Sequence, residues 1–178
     1  LNLRQRYIEW AVQKEPTRCL KLLNQLFALE NRTIQLSYQD HCIKISDDAL
    51  SLFIIEPTRL PWYFNGIQAR LDLLREQYLI DNIPFRNGDV VLDCGANIGE
   101  IGIILRQINS NISYKAFEPS DLEYRCSILN NSNARIVPYG LWEFDGTLTL
   151  YQNTADADSS FIPPPKYSRT LKVPVTRL

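Results

Sequence analysis

The 178-residue sequence contains no methionine and a single histidine, His41. Without methionine, Leu1 is not expected to be the native start. His41 is the only imidazole on hand for acid–base work, and it falls in a segment read below as a hairpin, so a structural role is expected of it. Cysteine is sparse. Cys19, Cys42, Cys94 and Cys126 keep none of the short spacings of a zinc site, and their apolar or motif contexts suit free thiols in a reducing compartment. No apolar run approaches the roughly 20 residues of a membrane span. Arg4, Arg6, Glu9 and Lys14 interrupt what a signal peptide would need at the N-terminus, so the expected location is cytoplasmic. A charge excess is missing too. Nineteen Lys and Arg against 20 Asp and Glu leave a net charge of −1, and no global field draws nucleic acid or an anionic membrane. There is no internal repeat and no low-complexity tract beyond Pro163-Pro164-Pro165.

What is present is the balance of a globular chain, 45% hydrophobic and 22% charged. The first thirty residues read as two helices, broken where Pro16 follows Glu15. Leu20, Leu22, Leu23, Leu26, Phe27 and Leu29 lie on the buried side of the second, and Asn31 stops it. These helices are read as a packing element or a surface for homo-oligomerisation. Residues 33–46 alternate as a hairpin, with Gln39-Asp40 at its turn, and a short strand runs from Leu50 to Ile55. Pro57 and Pro61 bracket a loop, and a helical pattern then runs from Asn65-Gly66 to Ile80. From Asp89 the pattern is strand, helix, strand, helix, strand: a strand to Asp93, a helix over 97–107, strand 113–117, helix 121–130 and strand 135–138. Asp145-Gly146 is a hairpin signal before Leu148–Tyr151. Residues 152–170 read as a polar, proline-rich loop, and Leu171–Val175 as a final strand. Alternation of this kind predicts a parallel sheet with helices on its faces. The expected organisation is an extension of small α+β character over residues 1–60 and a ligand-binding domain over 61–178.

The chemistry concentrates in Val90-Val91-Leu92-Asp93-Cys94-Gly95-Ala96-Asn97-Ile98-Gly99. A strand ends in Asp93 and passes through glycines into a helix. Gly95, without a Cβ, lets backbone turn tightly and approach a ligand. Gly99 does the same at the helix entrance, where unpaired N–H groups can receive an acceptor. Glu118, closing the next strand, stands at the roughly 20-residue distance at which an acidic residue holds ribose hydroxyls in open α/β sheets. A dinucleotide is the direct rival. Its fingerprint needs three glycines, whereas Asn97 takes the middle position here, and Asp93 would repel a pyrophosphate. S-Adenosylmethionine, with a sulfonium, an amine and a ribose, fits both acids.

This segment, with Ala116-Phe117-Glu118-Pro119, Leu129-Asn130, Gly140–Tyr151, Asp158-Ser159-Ser160 and Val173–Leu178, resembles the FkbM family of S-adenosylmethionine-dependent methyltransferases over roughly residues 60–178. The resemblance implies an α/β, Rossmann-like methyltransferase sheet, mostly parallel with helices on both faces. It also implies an O-methyltransferase acting on a hydroxyl of a small-molecule natural product, sugar or glycan, with S-adenosylmethionine as cofactor; the residues themselves suggest no metal site. Carried over by position, it puts Asp93, Gly95, Ala96, Asn97, Gly99 and Glu118 against the cofactor and Glu100 at the methionine end or as a helix cap. Leu141 and Trp142 fall near the adenine. Family members continue with a further strand bearing Lys and an Asp-x-Glu-Gly turn, so the chain is expected to be incomplete at its C-terminus. No catalytic base is assigned. Asp156 and Asp158, beside Ser159 and Ser160, lie in a polar loop where an acceptor can dock or which is simply solvated. The alternatives are a non-catalytic S-adenosylmethionine-binding or scaffold domain and, less favoured, an NAD-type oxidoreductase.

Overall fold

The computed structural model describes residues 3–153 and 158–178. They form two compact units, Leu1–Ile83 and Pro84–Leu178, so the helical segment after Asn65 belongs to the first unit.

In the first unit, helix α1 (Leu3–Ala11) ends before Pro16, and α2 (Pro16–Leu29) begins on it. Proline suits a first helical position, where its missing N–H has no partner to lose. Glu15 caps the start by accepting from the amides of Thr17 and Arg18 at 3.0 and 3.2 Å. Cys19, Leu20, Leu23 and Phe27 are buried at helical spacing, whereas Leu29 is exposed. Strands β1 (Gln35–Gln39) and β2 (Cys42–Ser46) pair antiparallel, with Gln39 opposite Cys42. The turn is therefore Asp40-His41, one residue later than expected. Both residues have positive φ, 53° and 62°, the pattern of a two-residue hairpin whose twist matches the strands. Strand β3 (Ser51–Ile54) pairs with β2 and closes a three-stranded antiparallel sheet. The Asn24 side chain of α2 donates to the Leu36 carbonyl and accepts from the Leu36 amide, both at 2.8 Å, satisfying backbone on the outer edge of β1. A 3-10 segment (Pro57–Tyr63), helix α3 (Ile67–Gln77) and a 3-10 turn (Ile80–Asn82) complete the unit.

The second unit begins as expected. Strands β4 (Val90–Cys94), β5 (Ser113–Phe117) and β6 (Arg135–Val137) form a parallel sheet in that order. Helices α4 (Glu100–Ile108) and α5 (Asp121–Asn130) connect them. Ala96, Leu105, Tyr114 and Ala116 form its core, with Val91, Ile101 and Ile136 against them. Alternate positions on β4 point away, leaving Val90 at 55% and Leu92 at 47% exposure.

Beyond β6 the expected architecture fails. There is no single, mostly parallel Rossmann-like sheet with helices on both faces; the described residues form three small sheets, of which this parallel one has three strands. A parallel strand needs a crossover of a dozen or more residues, and no helix is described after Asn130. The chain instead runs through strands β7 (Gly140–Leu141), β8 (Gly146–Asn153), β9 (Asp158–Ser160) and β10 (Arg169–Thr176), which form a mixed sheet in the order β7-β10-β8-β9. The hairpin anticipated at Asp145-Gly146 is absent: β7 pairs in parallel with β10 at Val175 and Thr176, and β8 pairs antiparallel with β10. Asp145 is drawn the same way. It accepts from Thr176 Oγ1 at 2.9 Å and forms an ion pair with Arg177 at 3.0 Å. The segment read as a loop over 152–170 includes β9, paired with β8.

Candidate functional site

The turn after β4 packs three left-handed residues into five positions: Gly95, Asn97 and Gly99 have φ of 100°, 51° and 83°. Left-handed backbone is unfavourable for most side chains and natural for Gly and Asn, which is why this sequence turns here. Every stage of the turn is tied down. The amides of Gly95 and Ala96 both donate to the Phe117 carbonyl, at 2.9 and 3.0 Å, and the Asn97 amide donates to Glu118 Oε2 at 2.7 Å. Behind it, Asn130 Nδ2 donates to the Ile98 carbonyl at 2.8 Å and Asn131 Nδ2 to the Gly99 carbonyl at 2.9 Å. A Cβ on Gly99 would run into Asn131 Nδ2.

Beside the turn lies a cavity of about 300 Å³, within the range of small-molecule sites. Of the residues expected against the cofactor, Gly95, Asn97, Glu118 and Leu141 line it. The others are placed elsewhere. Ala96 is in the core, Gly99 caps α4, and Glu100 is buried in that helix's first turn. Asp93 Oδ2 accepts from the Tyr114 hydroxyl at 2.6 Å; burial pushes its carboxyl above the ordinary range, a rise this hydrogen bond partly offsets. Trp142 packs edge-on against Phe161, ring centroids 5.6 Å apart. Asp156 lies outside the described residues, whereas Ser159 is on the cavity wall.

The lining residues outside the expected set include Glu123, Leu150 and Phe161. Glu123 recurs with Ser127 and Asn130 at helical spacing, a polar stripe that in the sequence alone reads as a solvated face; the structure buries all three on α5. Here Ser120 Oγ donates to Glu123 Oε2 and accepts from Gln152 Nε2 at 3.0 Å, while Arg169 Nε donates to Gln152 Oε1 at 2.8 Å. Leu150 and Phe161 arrive through strand pairing over long sequence distance, and no local pattern marks them.

Glu118 is the chemical centre. Its two carboxylate oxygens accept from the backbone amides of Asn97 and Ser120, at 2.7 and 2.8 Å. Burial nonetheless pushes its pKa up to about 7; those two hydrogen bonds act to lower it, while the charges of Glu123 and Asp93 add to the rise. Each oxygen keeps a second lone pair for a ligand hydroxyl. The lining holds the carboxylates of Glu118 and Glu123 and no Lys or Arg. Such a site suits a ligand with hydroxyl donors and cationic character and disfavours a pyrophosphate.

Comparison with family models, curated proteins and solved structures finds no match.

All four cysteines are free, Cys94 exposed on the cavity wall. Among the described residues no group of His, Cys, Asp and Glu is arranged to hold a metal ion, and no helix is long and apolar enough to cross a membrane.

Proposed function

We propose that the second unit binds S-adenosylmethionine and that the protein is a methyltransferase acting on a hydroxyl acceptor. One observation carries the reading: a clamped Gly-Ala-Asn-x-Gly turn whose Asn97 amide is held by the buried carboxylate of Glu118, beside a cavity with two acids and no cation. Glu118 would accept from the ribose hydroxyls, and the acidic lining would favour the positive sulfonium and amine. When bound, the cofactor supplies a methyl group activated for displacement at carbon. The protein's share is to fix the ribose and so align the methyl with the acceptor oxygen, an effect that can supply most of the acceleration. The acceptor class, a sugar, glycan or natural-product hydroxyl, rests on the resemblance to FkbM-type enzymes alone, as does the place of Leu141 near the adenine. A reducing, cytoplasmic setting suits the exposed Cys94 thiol.

A thermal-shift comparison tests the reading. S-Adenosylhomocysteine should raise the melting temperature and NAD should not, since only ligands that bind the folded state stabilise it. Stabilisation by NAD alone refutes the proposal.

A further inference from the structure

The cavity lining holds two chemistries: Asn97, Glu118, Glu123 and Ser159 are polar, and Leu141, Leu150 and Phe161 are apolar. S-Adenosylmethionine divides the same way, into a hydroxylated, charged portion and a flat purine. Among the described residues, Phe161 is the one aromatic side chain that lines the cavity, and it is half-buried. Two neighbours fix it. Trp142 meets it edge-on, with 71° between the ring planes. On another side, Gly140 leaves room for it: a Cβ there would collide with Cζ and Cε2 of the Phe161 ring. Gly140 is buried and pairs with Val175 in the mixed sheet, so it cannot easily withdraw.

We propose that Phe161 is the wall on which the adenine ring of the cofactor packs, and that Gly140 is a positioning residue whose missing side chain sets that ring. The inference rests on the cofactor reading above. Trp142, expected near the adenine, is not among the lining residues and meets the Phe161 ring edge-on instead.

Calorimetric titration of the full chain with S-adenosylhomocysteine tests this, with far-UV circular dichroism confirming that each variant is folded. Aromatic–base packing is worth enough that Phe161→Ala should weaken binding by about tenfold or more. Phe161→Tyr should restore affinity to within about threefold of the wild type, because a flat ring is retained; loss of a merely structural contact would show no such rescue in affinity at equal melting temperature. Gly140→Ala should weaken binding in the wild-type background and add little on top of Phe161→Leu, since the two act through one ring. Should Phe161→Ala prove unfolded, Phe161→Leu carries the same expectation. Wild-type binding with unchanged affinity in the folded Phe161 variant overturns this inference and leaves the cofactor reading standing. Absence of wild-type binding overturns the cofactor reading, and this inference with it.

Discussion

Glu118 is a carboxyl group that burial drives toward its neutral form and that two backbone amides draw toward the charged form. Burial prevails, and the sign of the consequence follows. With a folded pKa of about 7 against an ordinary value of 4.5, the folded chain keeps a proton that the unfolded chain has released. The stability from this group is complete below the unfolded value and is lost as pH rises through the folded one. Glu118→Gln removes the titration. Urea unfolding midpoints should therefore fall less steeply between pH 4.5 and 7 in the variant than in the wild type; parallel slopes would show that Glu118 does not titrate in this window. Ligand hydroxyls favour the charged form, so affinity for S-adenosylhomocysteine should strengthen as pH rises toward and past 7. Glu118→Ala should weaken that affinity by one to two orders of magnitude, about the loss of one or two charge-assisted hydrogen bonds, with calorimetry as the measure. Glu118 was legible in the sequence because a strand end and a fixed interval from a glycine turn are local facts. The side-chain direction of Asp93 was not: strand alternation places it with Val91 on the packed face, where Tyr114 takes it.

At the scale of elements, the turn between β4 and α4 depends on the far end of α5. Gly99 combines a left-handed φ of 83° with no space for a Cβ against Asn131. Gly99→Ala should cost about 1–3 kcal/mol from backbone strain and further stability from displacing Asn131, read as a lowered urea midpoint. Gly95 differs. No atom lies within 4 Å of where its Cβ would stand, but its φ is 100°, so Gly95→Val should harm the turn through backbone strain and not through crowding within the protein. Its expected signature is weakened S-adenosylhomocysteine binding, and retained affinity would contradict this account of the turn. Elements with strong local grammar were legible. Pro16 starts α2, and β5 and α5 span the residues that periodicity gave them. The Asp145-Gly146 signal misled because Asp145 finds its partners in Thr176 and Arg177, far along the chain. Turn propensity is a local preference, and the pairing of β8 with β10 outweighs it.

At the scale of the molecule, alternating strands and helices predicted one continuous sheet in the second half of the chain, and the described residues there form two. The parallel pattern is real but stops at β6, where helical periodicity stops. From Gly140 onward, short extended segments pair with β10 instead. That change is what builds the site: Leu141, Leu150 and Phe161 come from or adjoin the mixed sheet, whereas Gly95, Asn97, Glu118 and Glu123 come from the parallel sheet and its connections. All of them fall within Pro84–Leu178. Residues 84–178 expressed alone should therefore bind S-adenosylhomocysteine within about an order of magnitude of the full chain, checked by titration of the folded fragment.

Above all, we propose that this cavity takes S-adenosylmethionine and not a dinucleotide. Isothermal titration of the full chain at neutral pH, with S-adenosylhomocysteine in one experiment and NAD in another, addresses it most directly. S-Adenosylhomocysteine should bind saturably and one-to-one with release of a proton from Glu118, and NAD should not bind. Saturable binding of NAD with no heat from S-adenosylhomocysteine would contradict it.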